Sequence, residues 1–157
     1  MGDIAAFPTV RNVLVEGDNI VRFVSEGTIK AGMVVAFNTT GVSFSMLPAI
    51  KATTGQPVGV ALNDATTGQW VDVAMDGCIV NVVNADDAAT IDTGDIVEDN
   101  DNAVGGTVST VDWVDAGVVL VMKYQVGIMI DDNVGTTAGT ASRMLVSCGR
   151  FDSVNNA

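Results

Sequence analysis

The stretch Ile29-Lys30-Ala31-Gly32-Met33-Val34-Val35 recurs later in the chain as Ile91-Asp92-Thr93-Gly94-Asp95-Ile96-Val97. A second pair follows in the same order, since Val58-Gly59-Val60-Ala61-Leu62-Asn63-Asp64 is echoed by Val126-Gly127-Ile128-Met129-Ile130-Asp131-Asp132. In each copy a turn rich in threonine, alanine and glycine comes next, followed by a short apolar segment and another glycine. A repeat of this length, with spacing that drifts in small steps, indicates a duplicated structural unit whose hairpin loops differ in length.

The duplication defines the organisation that we predict for the chain. Two related β units, at about residues 29–83 and 91–151, lie within one β domain that spans 11–151. Residues 1–10 show no periodicity and predict a flexible N-terminal arm, and the polar residues 152–157 predict a frayed tail. A chain of 157 residues has room for one compact domain, or for two small halves that share a core.

The apolar pattern predicts an all-β fold with minimal helix. No window of helical length carries an apolar stripe that competes with strand-like alternation. Turn signals recur at a spacing of roughly 8–12 residues, which is typical of a sandwich or a small barrel. The best candidate for a single helical turn is the segment 85–89. The architecture stays open at this point between a compact β-barrel, a β-tulip-like fold and a sandwich.

Composition and charge exclude several classes of partner. Hydrophobic residues make up 48% of the chain and charged residues 17%, below the usual quarter or so, which predicts that a partner covers part of the surface. The net charge of −12 argues against nucleic-acid binding, because contacts to phosphates need a basic patch. No apolar stretch reaches the length of a membrane span, and Met1-Gly2-Asp3-Ile4 does not begin a signal peptide. We therefore expect synthesis in a cytoplasm and no membrane partner.

The residue types that most enzymes use are missing or badly placed. The chain has no histidine, which removes the usual Ser-His and Cys-His pairs and the commonest transition-metal ligand. Cys78 and Cys148 lie in apolar segments and are predicted to be buried free thiols, with a disulfide as the alternative. Lys123 lacks the tight hairpin tip that a lipoyl or biotinyl lysine needs. We predict no catalytic residues, no cofactor and no enzymatic activity.

One acidic segment invites comparison with a calcium loop. Asp99 and Asp101 lie in an Asp-Asn-Asp-Asn run that is followed by Gly105-Gly106. The bidentate glutamate that ends such a loop is absent, and the glycines come late. Asp99 and Asp101 are the best metal candidates in the chain, but a solvated hairpin tip is the favoured interpretation and we predict no metal.

The two tryptophans are candidates for contact residues. Trp70 and Trp113 lie in strand-like segments of different copies. A sugar-binding platform would need more aromatic residues than the few in this chain. Trp70 and Trp113 are therefore predicted to be core residues or subunit-contact anchors.

The glycine and valine pattern is similar to that of a known family. Ile-Lys-Ala-Gly-Met-Val-Val at 29–35, Pro-Val-Gly-Val-Ala at 57–61 and Gly-Gln-Trp-Val-Asp-Val-Ala-Met-Asp-Gly at 68–77 resemble small tailed-phage capsid decoration, or cement, proteins. Members of this family occur in prophage-derived sequences as a domain of unknown function. The resemblance covers residues 20–150 and implies a small β-rich fold, trimers on the outer capsid surface and stabilisation of the expanded head. It implies no catalytic residues.

The unpatterned arm suits such a role. We predict that Ile4, Phe7, Pro8 and Val10 grip the major capsid protein, by adding a strand to the edge of a capsid sheet. Three arms per homotrimer would bind with avidity. Two alternatives remain, another virion module (fibre, tail or surface array) and a small-molecule-binding or enzymatic β domain.

Overall fold

A computed structural model describes residues 6–39, 44–48, 56–84, 91–99, 105–110, 121–131 and 139–153. These residues form eleven β-strands and no helix, so the all-β prediction is confirmed. In this described part of the chain, no helix has the length and apolar character needed to cross a membrane. The strands are β1 (Leu14–Glu16), β2 (Ile20–Ser25), β3 (Val34–Phe37), β4 (Ser45–Pro48), β5 (Pro57–Ala61), β6 (Trp70–Ala74), β7 (Ile79–Val83), β8 (Ile96–Asp99), β9 (Val108–Thr110), β10 (Val121–Met129) and β11 (Ala141–Ser153).

Strands β2 to β6 form a closed five-stranded barrel in the order β2-β4-β3-β5-β6. All its pairings are antiparallel except that of β2 with β4, which is parallel and closes the barrel. Side chains of alternate residues fill its interior, as the period of a strand requires. This interior cluster consists of Phe23, Ile29, Met33, Val35, Met46, Ala61, Ala65, Val71 and Val73.

Strands β7 to β11 repeat this arrangement with one difference. The second sheet has the order β1-β7-β11-β10-β8-β9, so β7 to β11 are paired with one another as β2 to β6 are. The parallel pairing that closes the barrel is reduced to a single bridge, between Asn84 and Val108. Strand β1 instead pairs with the start of β7. The sheet and the barrel are thus two units with one strand order.

Glycine is required where neighbouring strands in each unit come closest together. A Cβ atom on Gly59 would lie 2.3 Å from the Ala74 carbonyl oxygen, and one on Gly127 would lie 2.3 Å from the Leu145 carbonyl oxygen. Real Cβ atoms do not approach backbone oxygens so closely, which explains why the Val-Gly motif occurs in both copies. The turns before β3 and β8 also match, because Gly32 and Gly94 have φ angles of 91° and 93°. Such angles favour glycine.

The two units share a core. The outer residues of the barrel strands pack with the apolar side chains of the second unit in one buried cluster, which explains why β3 is apolar on both faces. Burying each such side chain contributes about 1.5–3 kcal/mol, so the units stabilise one another. The joint cluster consists of Val13, Val34, Ala36, Val60, Ala74, Cys78, Val80, Val82, Ile91, Val97, Val108, Val126, Met129, Met144 and Val146.

The last two strands are long. Strand β10 runs without a break from Val121 to Met129. Strand β11 likewise continues to Ser153, two residues into the predicted tail, because it pairs with β10 as far as Val121. The helical turn predicted at 85–89 lies outside the described residues.

Candidate functional site: an exposed aromatic groove

An apolar groove of about 620 Å³ lies on the barrel surface. Its rim contains large side chains that are open to solvent: Phe44 is 74% exposed, Trp70 60% and Phe37 43%. At about 200 Å² per aromatic side chain, these fractions correspond to roughly 350 Å² of exposed ring surface. The largest apolar patch on a soluble monomer is typically about 300–600 Å² and is often functional, so this patch is a candidate interaction site. We call it the Phe44 groove, lined by Val21, Arg22, Phe23, Val24, Phe37, Phe44 and Trp70.

The strands of the barrel hold the groove in place. Trp70 is the first residue of β6 and pairs with Val24 of β2. The Phe37 ring packs edge-on against Phe23, with ring centroids 5.5 Å apart and an interplanar angle of 79°. Phe23 is itself buried in the barrel interior. The groove is therefore a rigid surface that is continuous with the core.

Phe44 adopts a backbone conformation that is unusual for its residue type. Its φ angle is 66°, in the left-handed region that glycine favours. A residue other than glycine costs about 1–2 kcal/mol there. The side chain recovers little of this cost within the chain, because most of the ring is exposed. Strain of this kind, held at an exposed aromatic residue, favours a role in binding.

An ion pair borders the groove. Arg22 donates from Nε to Asp72 Oδ1 at 2.6 Å and from Nη2 to Asp72 Oδ2 at 3.0 Å. These hydrogen bonds lower the pKa of the Asp72 carboxyl and raise the pKa of Arg22. The pair is exposed and so adds little stability. It gives the groove a polar rim, as protein interfaces have.

The structure describes only part of the predicted contact set. Phe7 and Val10 are half-buried and pack against the two core clusters, and Val10 lies so close to Gly32 that a Cβ there would be 3.0 Å from its side chain. This part of the arm lies against the barrel, where Phe7, Pro8 and Val10 line a small depression beside Lys30 and Asp64. Ile4 and Trp113 lie outside the described residues. The predicted grip on a capsid stays a prediction.

Asp99 differs from its prediction as part of a solvated hairpin tip. It is the last residue of β8 and is buried, as is Glu98 before it. The reason is that β8 continues through both acids to pair with β9, with Asp99 opposite Val108. Asp101 lies outside the described residues, and nowhere in the described ranges do three potential metal ligands of the histidine, cysteine, aspartate or glutamate type come together.

The two cysteines are free and poorly reactive in their surroundings. Cys78 is buried, with its thiol 3.5 Å from the Asn19 carbonyl oxygen. Burial, followed by the negative charges of Asp76 and Asp99, raises the pKa of the Cys148 thiol to about 12. Cys148 and Asp76 also line a depression of about 270 Å³. The Asp76 carboxylate accepts the Cys148 backbone N–H at 2.8 Å and is thereby used structurally.

Both thiols are therefore expected to resist alkylation in the folded protein. A pKa of about 12, against about 8.5 for a free cysteine, lowers the thiolate fraction of Cys148 near neutral pH by more than about a thousandfold. Mass spectrometry after iodoacetamide treatment should show an unmodified folded chain, and two adducts in urea without a reductant. A chain that takes up no label in urea would contain a disulfide and would contradict this prediction.

Sequence reasoning identified Trp70 but missed Phe37 and Phe44. Both phenylalanines lie in or beside strand-like apolar segments, where an aromatic residue is ordinarily a core residue. A signal was nevertheless present, because the first repeat has Phe44 where the second has Gly106. A phenylalanine at a position that is glycine in the related copy is not needed to form the fold, which favours a role in binding.

Comparison with known proteins gives a likeness to a solved structure. No known family and no curated protein matches the chain by sequence. Among solved structures, the chain is similar to the N base of the head fiber gp8.5 in bacteriophage phi29, with a TM-score of 0.54 and 18% sequence identity. The likeness covers 82% of this chain and 92% of that one. It shows that the two proteins share a fold over most of this chain and nearly all of the other.

Proposed function

We propose that the protein is a non-enzymatic decoration protein of a tailed virus, which binds the outer surface of the expanded head and stabilises it. Its partners are the major capsid protein and two further copies of itself in a homotrimer. It is made in the host cytoplasm and resides on the capsid surface. The observation that carries this proposal is the fold shared with the base of a phage head fibre, over 82% of the chain.

The physical character of the chain supports a structural role of this kind. Its closed barrel and second sheet share one core, which makes a rigid body. The exposed Phe44 groove supplies an apolar surface for a protein partner. The net charge of −12 disfavours attachment to the packaged genome. None of these features requires bound metal or catalysis.

A second candidate function is the base of a head fibre. The likeness to a head-fibre base favours it directly. A fibre base holds an extended structure away from the capsid, whereas a decoration protein lies flat on it. Cryo-electron microscopy of virions carrying the protein separates the two, because only a fibre base has density projecting beyond this compact body.

Attachment can be measured with expanded heads that lack the protein. We expect the purified protein to sediment with such heads and to raise the temperature at which they rupture. The variant Trp70→Ser should lower the bound amount at least tenfold if the groove takes part in assembly or attachment. Val15→Ser is the matched control, because Val15 is also exposed but lies on β1, outside the groove. Failure of the unmodified protein to bind heads of its own virus would overturn the proposal.

A further inference from the structure

Three apolar residues on the outside of the barrel are covered by the second unit. Val34, Val60 and Ala74 are neighbours across three strands, since Val60 pairs with both of the others. They alternate with residues that point into the barrel, so they face outward. All three are 0% exposed, because they belong to the cluster shared with the second unit. We call them the Val60 strip.

The second unit has an equivalent strip that is not fully covered. Ile96 follows Gly94 as Val34 follows Gly32, and Ile128 follows Gly127 as Val60 follows Gly59. Leu145 is the third residue of this strip, because Ile128 pairs with both Ile96 and Leu145 as Val60 pairs with Val34 and Ala74. Ile96 is 36% exposed, and Ile128 and Leu145 are half-buried. We call these three residues the Ile128 strip. It is apolar, and its side chains are larger than those of the covered Val60 strip.

The residue through which the second unit touches the barrel, Gly106, has an equivalent in the first unit. Met46 pairs with Phe37 and Ser25 in the first unit, as Val108 pairs with Asp99 and Asn84 in the second. The residues two positions earlier, Phe44 and Gly106, are therefore equivalent. Their φ angles agree, at 66° and 73°.

Gly106 is a point at which the second unit touches the barrel beside the Val60 strip. Its carbonyl oxygen accepts the Val34 N–H at 2.8 Å, and a Cβ on Gly106 would lie 2.7 Å from Met33 Cβ. The internal contact thus joins the Phe44-equivalent position of one unit to the Val60 strip of the other. On the second unit the contact uses the inner face of the sheet, with Gly106 at its edge, and on the barrel it uses the Val60 strip. The barrel surface equivalent to the Gly106 edge is the Phe44 groove, and the second-unit surface equivalent to the Val60 strip is the Ile128 strip. Both are at least partly exposed.

We infer that these two surfaces bind each other between copies of the chain. The Phe44 groove of one copy docks on the Ile128 strip of the next, so that the copies join head to tail. This contact between copies differs in detail from the contact between the two units of one chain. Gly106 has no side chain, whereas Phe44 presents an exposed ring. The groove carries no net charge to oppose the strip, because Asp72 neutralises Arg22 at its rim. The groove supplies roughly 350 Å² of ring surface, a substantial part of the 800 Å² or so that one side of a stable interface buries.

A head-to-tail contact of this kind either closes into a ring or continues as a filament. The inference rests on the self-association in the proposed function, whose homotrimer would be a ring of six β units. It adds the identity of the contacting surfaces, and it excludes a contact of groove with groove.

Mixing two variants tests the inference. Phe44→Gly removes the groove side and Ile96→Asp removes the strip side, and light scattering measures the mass. Each variant alone should be monomeric at concentrations at which the unmodified chain assembles. An equimolar mixture should form a dimer of twice the chain mass of 16.1 kDa, because each variant retains the surface that the other lacks. Circular dichroism establishes that each is folded, and Ile96→Ser replaces Ile96→Asp if aspartate disturbs β8.

Several results would overturn the inference. These are a monomeric unmodified chain, normal assembly of the folded Ile96 variant, or a mixture that remains monomeric. Head binding by the unmodified chain is measured separately. A protein that binds heads but fails the mixing test would refute the head-to-tail contact and leave the decoration role standing. A protein that passes the mixing test but does not bind heads would support the head-to-tail contact and refute the decoration role.

Discussion

Replacement of Gly127 by alanine is expected to destabilise the protein by about 3 kcal/mol or more. The new methyl group would lie 2.3 Å from the Leu145 carbonyl oxygen and 2.6 Å from the Met144 sulfur. The sulfur is part of a flexible side chain and can move, but the carbonyl belongs to the paired strand β11. Relief therefore requires β10 and β11 to separate at the centre of the second unit. Denaturant unfolding followed by circular dichroism measures the loss.

Gly149→Ala is the matched control for this substitution. Gly149 belongs to the same strand pair as Gly127, but it lies in β11, opposite Gln125 of β10. A Cβ there meets no atom within 4 Å. Its substitution should change the free energy of unfolding by less than about 1 kcal/mol. Equal effects of the two substitutions would show that close strand approach is not the reason for glycine at position 127.

Exchanging the residues at the equivalent positions 44 and 106 is expected to have opposite effects on stability. Gly106→Phe should cost at least about 3 kcal/mol, because a Cβ there already meets Met33 at 2.7 Å and the ring must push the two units apart. Phe44→Gly should instead stabilise the monomeric chain by about 0.5–1 kcal/mol. Relief of the left-handed conformation outweighs the backbone entropy that glycine adds.

Urea unfolding of both variants, at a dilution at which the protein is monomeric, measures these changes. Phe44→Ala is a useful companion, because it removes the ring and keeps the strained φ angle. It should therefore be less stable than Phe44→Gly. A loss of stability in Phe44→Gly comparable to that in Gly106→Phe would mean that the Phe44 ring is a core residue, and its role in docking would have to be abandoned.

The fold was predictable because its determinants are local. Alternating valines and regularly spaced turns predict strands from properties of adjacent residues alone. The matched glycines at 32 and 94 predict a repeat because each copy meets the same local demand on φ. Those at 59 and 127 also recur, but their reason is the close approach of a paired strand. Strand ends were less predictable. Asp99 was predicted by composition to lie in a solvated hairpin tip, whereas pairing of β8 with β9 buries it.

The candidate site was predicted only in part, because exposure depends on distant contacts. Trp70 could be identified as a core or contact residue from its type, but not as one that is 60% exposed. Phe44 has no local feature that distinguishes it from an interior strand residue. Phe7 and Val10 were predicted to lie in a free arm, and their packing against the barrel depends on the space above Gly32.

The amino-acid sequence by itself determined that this protein is all-β and built from two related units, since strand periodicity is set by neighbours along the chain and the matched glycines recur at visible sequence positions. Only the tertiary structure decided which apolar surfaces are covered. Val34 and Ile96 occupy equivalent positions and have similar side chains, yet Val34 is buried and Ile96 is partly exposed. The difference arises because the second unit packs on the first through unlike surfaces, and an asymmetric contact of that kind leaves no trace in the repeat pattern.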